Sequence, residues 1–188
     1  VVGAGPTGML AALCLAKRGV SSVLLERRES LENHPKAHEL SARSIEILHE
    51  LGFGYDELAA EASPPEDAAK ILFCGTVAEE LGCIDLQAGG GARKYREHLE
   101  APMPYLNVSQ VELEKRMRAR VDATPEIRLL QHHQWESFEA QDAEGVTSRV
   151  TNRTTGEIFA IRSQYVLCAD GAGSRTRKAL GVAMRGPE

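Results

Sequence analysis

Val1-Val2-Gly3-Ala4-Gly5-Pro6-Thr7-Gly8-Met9-Leu10 opens the chain, and its reading decides the fold. Two β-branched residues run into a G-x-G-x-x-G turn, and good helix formers follow from Pro6 to Arg18, with Leu10, Leu13 and Cys14 on one face. Lys17 and Arg18 suit the last turn and Gly19 is a C-terminal stop. Ser22 to Glu26 is a short apolar run of strand length and type. Strand, glycine turn, helix and strand within the first 26 residues make a βαβ unit. Each glycine has its own reason: Gly3 permits the tight turn, Gly5 lets the backbone approach a pyrophosphate, and Gly8 lets helix and strand pack closely. Unpaired N–H groups and the positive end of the helix dipole then face a doubly anionic group, Pro6 sits in the first turn, and Thr7 offers a hydroxyl. Glu26 ends the next strand at close to the roughly twenty-residue spacing of a ribose-binding acid. A carboxylate there accepts both ribose hydroxyls and repels a 2′-phosphate. The competing reading is an ordinary βα turn with a surface glutamate.

A buried strand usually runs about five to six residues, yet only Val1 and Val2 precede the turn. The chain is therefore expected to begin inside its first strand and to be a fragment of a longer protein. Its 188 residues allow one domain with a sizeable core, or one domain and a small appendage. A net charge of -5 argues against a general affinity for nucleic acid. No apolar run reaches the roughly eighteen residues of a membrane span. Cys14, Cys74, Cys83 and Cys168 are scattered without metal-ligand spacing and read as small buried hydrophobes of a reduced, cytoplasmic compartment.

Downstream, Arg27 to Glu39 reads as a polar loop and Ser41 to Leu51 as a helix, with Ile47, Leu48 and Leu51 on one stripe and Gly52 as terminator. Ala62 to Asp67 is a turn or linker, Ile71 to Leu86 a pair of strands, and Ala88 to Ala92 a glycine-rich connection. Ser109 to Val121 is a helix whose Ser109 and Glu112 fit a capping box. Ile127 to Ile161 reads as an antiparallel meander turning at Glu144-Gly145 and Thr155-Gly156. Tyr165 to Ala169 is an apolar strand broken by Asp170-Gly171-Ala172-Gly173, and Ser174 to Leu180 is helical.

The glycine turn and Glu26 indicate a dinucleotide without choosing between FAD and NAD. An NAD domain of the doubly wound kind would continue β-α-β-α, whereas this chain passes through a loop and a helix into a β-rich stretch. The blocks carrying the distinction are His34-Pro35-Lys36-Ala37 through Leu48, Ser109-Gln110-Val111-Glu112-Leu113-Glu114, and Tyr165 to Gly181 with its Asp170-Gly171. With the glycine turn and Glu26-Arg27 they stand, in order, as they do in the FAD-dependent aromatic hydroxylases of the para-hydroxybenzoate hydroxylase and phenol 2-monooxygenase type, which the chain resembles over essentially its whole length. The resemblance implies an α/β, Rossmann-like FAD-binding βαβ fold with an inserted antiparallel β portion. The division it implies is residues 1–70 for the FAD-binding βαβ part, 71–108 for a β-rich portion of the substrate domain, and 109–188 for the FAD-binding continuation.

The resemblance also implies cofactor contacts at Gly3, Gly5, Pro6, Thr7, Gly8, Glu26, Arg27, Lys36, Arg43, Gln110 and Asp170. Lys36 stands where most relatives carry arginine and loses the planar fork suited to phosphate, so a looser contact is expected. Bland alternatives stand beside several of these. Arg27 ends a strand, Lys36 lies in a polar loop, and Arg43 faces either cofactor or water. Gln110 is unremarkable at the start of a capped helix, and Asp170 forms turns before glycine. The six histidines include His34, His38 and His49 near one another and the adjacent pair His132-His133, which on a strand would point to opposite faces. No metal site and no catalytic side chain is assigned. Trp135 and Phe138 read as core.

As implied function, FAD and NAD(P)H serve the hydroxylation of an aromatic, phenolic substrate by O2. The resemblance implies that the family's second FAD fingerprint, a Gly-Asp, should lie downstream of residue 188. Two rivals are an FAD-dependent reductase or halogenase of the same fold and a non-catalytic nucleotide-binding module. The lone Trp135 lacks the second tryptophan of a halogenase motif. Oligomeric state is open.

Overall fold

The computed structural model describes residues 1–31, 34, 36–64, 67, 69–85 and 105–186. The chain divides into two compact units, Val1–Asn33 with Glu114–Glu188, and His34–Leu113. The glycine-rich connection expected at Ala88 to Ala92 lies outside the described residues.

The first unit is built around parallel pairing. Helix α1 (Pro6–Ala16) follows the glycine turn and leads to β1 (Ser22–Glu26). Val2 bridges Leu25 on one side and Cys168 on the other, both parallel. The N–H of Val2 donates to the Leu167 carbonyl at 2.8 Å and the N–H of Ala169 to the Val2 carbonyl at 2.8 Å. On the far side, β1 pairs in parallel with β6 (Ile127–Gln131), in register Ser22 with Ile127 through Glu26 with Gln131. Ile127–Gln131 thus belongs to the parallel layer, not to the meander the alternation suggests. A five-residue apolar run carries no mark of its partner's direction. The expected strand at Tyr165 to Ala169 shows a single bridge, at Cys168.

The antiparallel meander is β7 (His133–Asp142), β8 (Gly145–Asn152) and β9 (Ile158–Ser163), with turns where Gly145 and Gly156 adopt positive φ. Its inner residues Trp135 and Val150 form a buried cluster with Val2 and Leu25 of the parallel layer, and Phe138, Phe159 and Ile161 pack around it. The Trp135 and Phe138 rings meet edge to face at 4.6 Å. On the helical side, α1 contacts β1 and β6. It buries Gly8, Met9, Ala12 and Leu13, whereas Leu10 and Cys14 stay half-buried. The expected face is therefore rotated. A helix apolar all round has no polar face to mark its inner side.

His132 is not a strand residue. It sits between β6 and β7 at φ 61, so the expected opposition of His132 and His133 on one strand does not arise. Its Nδ1 lies 2.5 Å from the Thr154 hydroxyl, and His133 Nδ1 lies 2.6 Å from the Gln131 carbonyl. The cysteines are free, with Cys14 half-buried and Cys74, Cys83 and Cys168 exposed, which corrects their reading as buried hydrophobes. Among the described residues, no helix is long and apolar enough to cross a membrane and no cluster of His, Cys, Asp and Glu could hold a metal ion.

In the second unit, β2 (Glu39–Leu40) pairs antiparallel with β5 (Leu106–Asn107), and α2 (Ala42–Glu50) and α3 (Tyr55–Ala59) follow β2. Its core includes Ile45, Leu48, Phe53, Leu58, Leu106 and Val108. The inward stripe of α2 is Ala42, Ile45 and Leu48, so Ile47 and Leu51 are not the core positions the spacing suggests. Gly52 ends the helix at φ 85, as expected. Ser41 caps it, its hydroxyl accepting the Ser44 N–H at 3.2 Å. Ser41→Ala should therefore cost about 1 kcal/mol, seen as a fall of about 2–4 °C in the thermal midpoint. The hairpin β3 (Lys70–Thr76) and β4 (Glu79–Asp85) is antiparallel, as the paired strands required, and exposes Leu72, Phe73, Val77, Leu81 and Ile84.

Candidate functional site: the glycine turn and its strand ends

Gly3, Glu26 and Asp170 lie at the C-terminal ends of three adjacent parallel strand segments, where open α/β sheets bind ligands. The three glycines differ in what surrounds them. Gly3 has φ +96, and a Cβ there would lie 2.4 Å from the Ala169 carbonyl oxygen. A Cβ on Gly8 would lie 1.8 Å from the Gly3 carbonyl oxygen. Gly5 is the N-cap of α1 in extended conformation, and a Cβ on it would meet nothing within 4 Å. The first and third glycines are thus held by the protein's own backbone, and the second faces open space. That space is a cradle a side chain would fill, bounded by the first-turn N–H groups that no helix satisfies internally. Thr7 is exposed there and Pro6 occupies the first helical position, where a missing N–H costs nothing.

Glu26 is tied to the turn. Its Oε2 accepts the Ala4 N–H at 3.0 Å and its Oε1 the Arg28 N–H at 2.8 Å. The carboxylate that the spacing marks as a ribose acceptor therefore also clasps the glycine turn to the end of β1. Sequence spacing alone carries no signal for that second role. Arg27 is exposed, and its carbonyl accepts the Arg153 guanidinium at 2.9 Å.

Asp170 faces its own turn. Its Oδ1 accepts the Ser174 and Thr176 hydroxyls, each at 2.6 Å, and its Oδ2 accepts the Thr176 N–H at 3.0 Å. Burial opposes its ionisation, but these donors outweigh that and hold the carboxyl below the usual carboxylate range. Ser174 also caps the short helix α5 (Arg175–Ala179; α4 is Gln110–Asp122), accepting the Arg177 N–H at 2.9 Å. Thr176 is fully buried and was not singled out by sequence reading; a polar residue six positions beyond Asp-Gly gives no local signal.

In the second unit the structure brings Lys36 and Gln110 onto neighbouring segments. The Gln110 N–H donates to the Ala37 carbonyl at 3.0 Å, beside the β2–β5 pairing and a contact of 3.1 Å between His38 Nδ1 and Asn107 Oδ1. Gln110 opens α4, one residue after Ser109, as the capping signal required. Lys36 is exposed, and Pro35 lies outside the described residues. Arg43 is exposed on α2 and pairs with Glu46 at 2.9 Å.

A parallel strand, a glycine turn with an open second glycine, a helix N-terminus and an acid at the next strand end define a dinucleotide-binding Rossmann-like domain. The particular family is narrower: residues 1–188 match the FAD binding domain family, and the chain belongs to it. The open cradle at Gly5 and the fixed carboxylate of Glu26 fit the pyrophosphate and ribose of FAD.

Among curated proteins the chain is 32% identical over 185 residues to a phenol 2-monooxygenase of Pseudomonas sp. (strain EST1001), covering 98% of this chain and 30% of that protein. It is 32% identical over 188 residues to a 2,4-dichlorophenol 6-monooxygenase of Cupriavidus pinatubonensis, covering 99% and 31%. Among solved structures it is similar to the flavin-dependent monooxygenase PieE in complex with FAD and substrate, with a TM-score of 0.85 and 37% identity over 99% of this chain and 32% of that one. The chain thus spans about a third of the length of these relatives.

Proposed function

We propose that this chain is the FAD-binding portion of a flavin-dependent monooxygenase that hydroxylates a phenolic ring with NAD(P)H and O2, in the cytoplasm. The observation that carries the reading is the similarity along the chain to a phenol 2-monooxygenase, joined to a glycine turn open only at Gly5. FAD, when bound, supplies the redox chemistry; the protein binds and orients it. Gly3, Gly5, Pro6, Thr7 and Gly8 receive the pyrophosphate, Glu26 the adenosine ribose and Arg27 the adenosine side. Lys36, Arg43, Gln110 and Asp170 complete the cofactor contacts, and the Arg43 guanidinium also serves Glu46. No side chain of this chain is assigned as nucleophile or general acid. The β-rich residues 71–108 are assigned to the substrate domain, a reading supported by the apolar side chains exposed on the Lys70–Thr76 and Glu79–Asp85 hairpin.

The test is FAD binding together with turnover. The full protein should retain FAD and oxidise NAD(P)H faster when a phenol is added. Nicotinamide oxidation indifferent to every aromatic compound tried would sink the hydroxylase reading. Glu26→Ala removes the acceptor for two backbone N–H groups as well as the ribose contact, so FAD affinity should fall about 10–100-fold, at about 1.4 kcal/mol per tenfold. Titration of the apoprotein with FAD, followed by flavin fluorescence, reads this directly.

A further inference from the structure

Asp170 stands in the site by resemblance, and its carboxylate is held by the turn that follows it. Both of its oxygens are engaged by Ser174 and Thr176. Thr176 alone supplies two of those donors, from its hydroxyl and from its N–H, and it is fully buried. Immediately before Asp170, the Ala169 N–H is held by the Val2 carbonyl, and the Ala169 carbonyl lies against Gly3 so closely that only glycine fits there. One short path therefore joins a buried threonine to the first glycine of the pyrophosphate turn.

We propose that Thr176, with Ser174 in support, is a positioning residue of the cofactor site: it anchors the Asp170 carboxylate within residues 170–176, and through that anchor keeps the Ala169 carbonyl seated on Gly3, so that the glycine turn holds the shape that admits a pyrophosphate. This rests on the reading of the turn as the FAD pyrophosphate site. The mechanism is one of pre-organisation. A turn that must be reshaped on binding reduces the apparent affinity by the fraction of time it spends in the competent form. Thr176 touches no cofactor atom in this scheme; it acts through the carboxylate it holds.

The chemistry separates hydroxyl from shape. Thr176→Val keeps the buried volume and loses the donor to Oδ1, whereas Thr176→Ser keeps the donor and loses a methyl group. FAD dissociation constants of the full chain should be measured at a temperature where every variant is fully folded, alongside the thermal midpoint of each apoprotein. Thr176→Val should weaken FAD binding at least tenfold, and Thr176→Ser should stay within about threefold of the unsubstituted protein. Ser174→Ala, which leaves both Thr176 donors in place, should fall between them and serves if Thr176→Val does not fold. A lowered midpoint with an unchanged FAD constant in Thr176→Val, or in Ser174→Ala in its stead, would make the network merely structural and overturn the proposal. An unsubstituted protein that binds no FAD would overturn the function itself, and this inference with it.

Discussion

Gly8→Ala should prevent the first unit from folding normally, and Gly5→Ala should leave the fold intact while removing FAD binding. The added carbon at Gly8 would sit 1.8 Å from the Gly3 carbonyl oxygen and 2.9 Å from its carbon. These are backbone atoms at the joint between strand and helix, with no flexible side chain to yield. Relief requires α1 to move away from the turn, against the burial of Met9, Ala12 and Leu13. Overpacking of this kind costs about 3 kcal/mol or more, which is a fall of about 6–12 °C or more in the thermal midpoint of a chain this size. Gly5 differs on both counts, since its φ of -72 suits any residue and its Cβ would meet nothing. Gly5→Ala should therefore melt within about 0.5 kcal/mol of the unsubstituted protein. Its methyl group would occupy the space into which the pyrophosphate must come, so FAD affinity should fall a hundredfold or more. Thermal denaturation of the apoprotein and FAD titration measure the two effects separately. A Gly5→Ala protein with normal FAD affinity would show that the pyrophosphate lies elsewhere.

Asp170→Ala is expected to destabilise the first unit. It leaves the Thr176 N–H, the Thr176 hydroxyl and the Ser174 hydroxyl without their acceptor, at residues that are buried. Hydrogen bonds to a charged acceptor contribute about 1.5–3 kcal/mol each and are not additive, so a loss of about 2–4 kcal/mol is expected. The pH dependence has a definite sign. Burial works against the ionised form, but the hydroxyl and amide donors prevail, and the folded carboxyl titrates below its ordinary value. The folded protein then binds fewer protons than the unfolded chain near that value. The stabilisation is fully present above about pH 4 and is lost as pH falls through the lowered folded pKa. Asp170→Asn should remove this contribution, so its deficit relative to the unsubstituted protein is largest near neutrality and shrinks toward pH 3. Urea unfolding at the two pH values checks it; a deficit of equal size at both would contradict the assignment.

What could be read in advance was what depends on a residue and its near neighbours along the chain. The glycine turn, Gly19 and Gly52 as stops, Ser41 as a cap and the turns at Gly145 and Gly156 are local conformational demands, and each stands where it was expected. Glu26 was legible as a candidate ribose acceptor because such an acid has a set distance from its turn. The inward faces of α1 and α2 were not, since an all-apolar helix hides its orientation and Ile47 and Leu51 satisfy a helical stripe as well as Ile45 and Leu48 do. Nor could the alternation at Ile127–Gln131 disclose a parallel partner a hundred residues away in β1.

The same division runs through the site. By itself the sequence determined that a dinucleotide turn is present and which residues form it, and the resemblance carried by four blocks in order implied that the cofactor is FAD. Only the tertiary structure decided why the turn keeps its shape. Gly3 must be glycine because Ala169 returns from the other end of the chain, Glu26 clasps Ala4 across the sheet edge, and Asp170 answers to Thr176. Backbone conformation is a property of short segments and leaves its mark in residue type. The contacts that hold such a segment in place join residues far apart along the chain, and no residue type announces its distant partner.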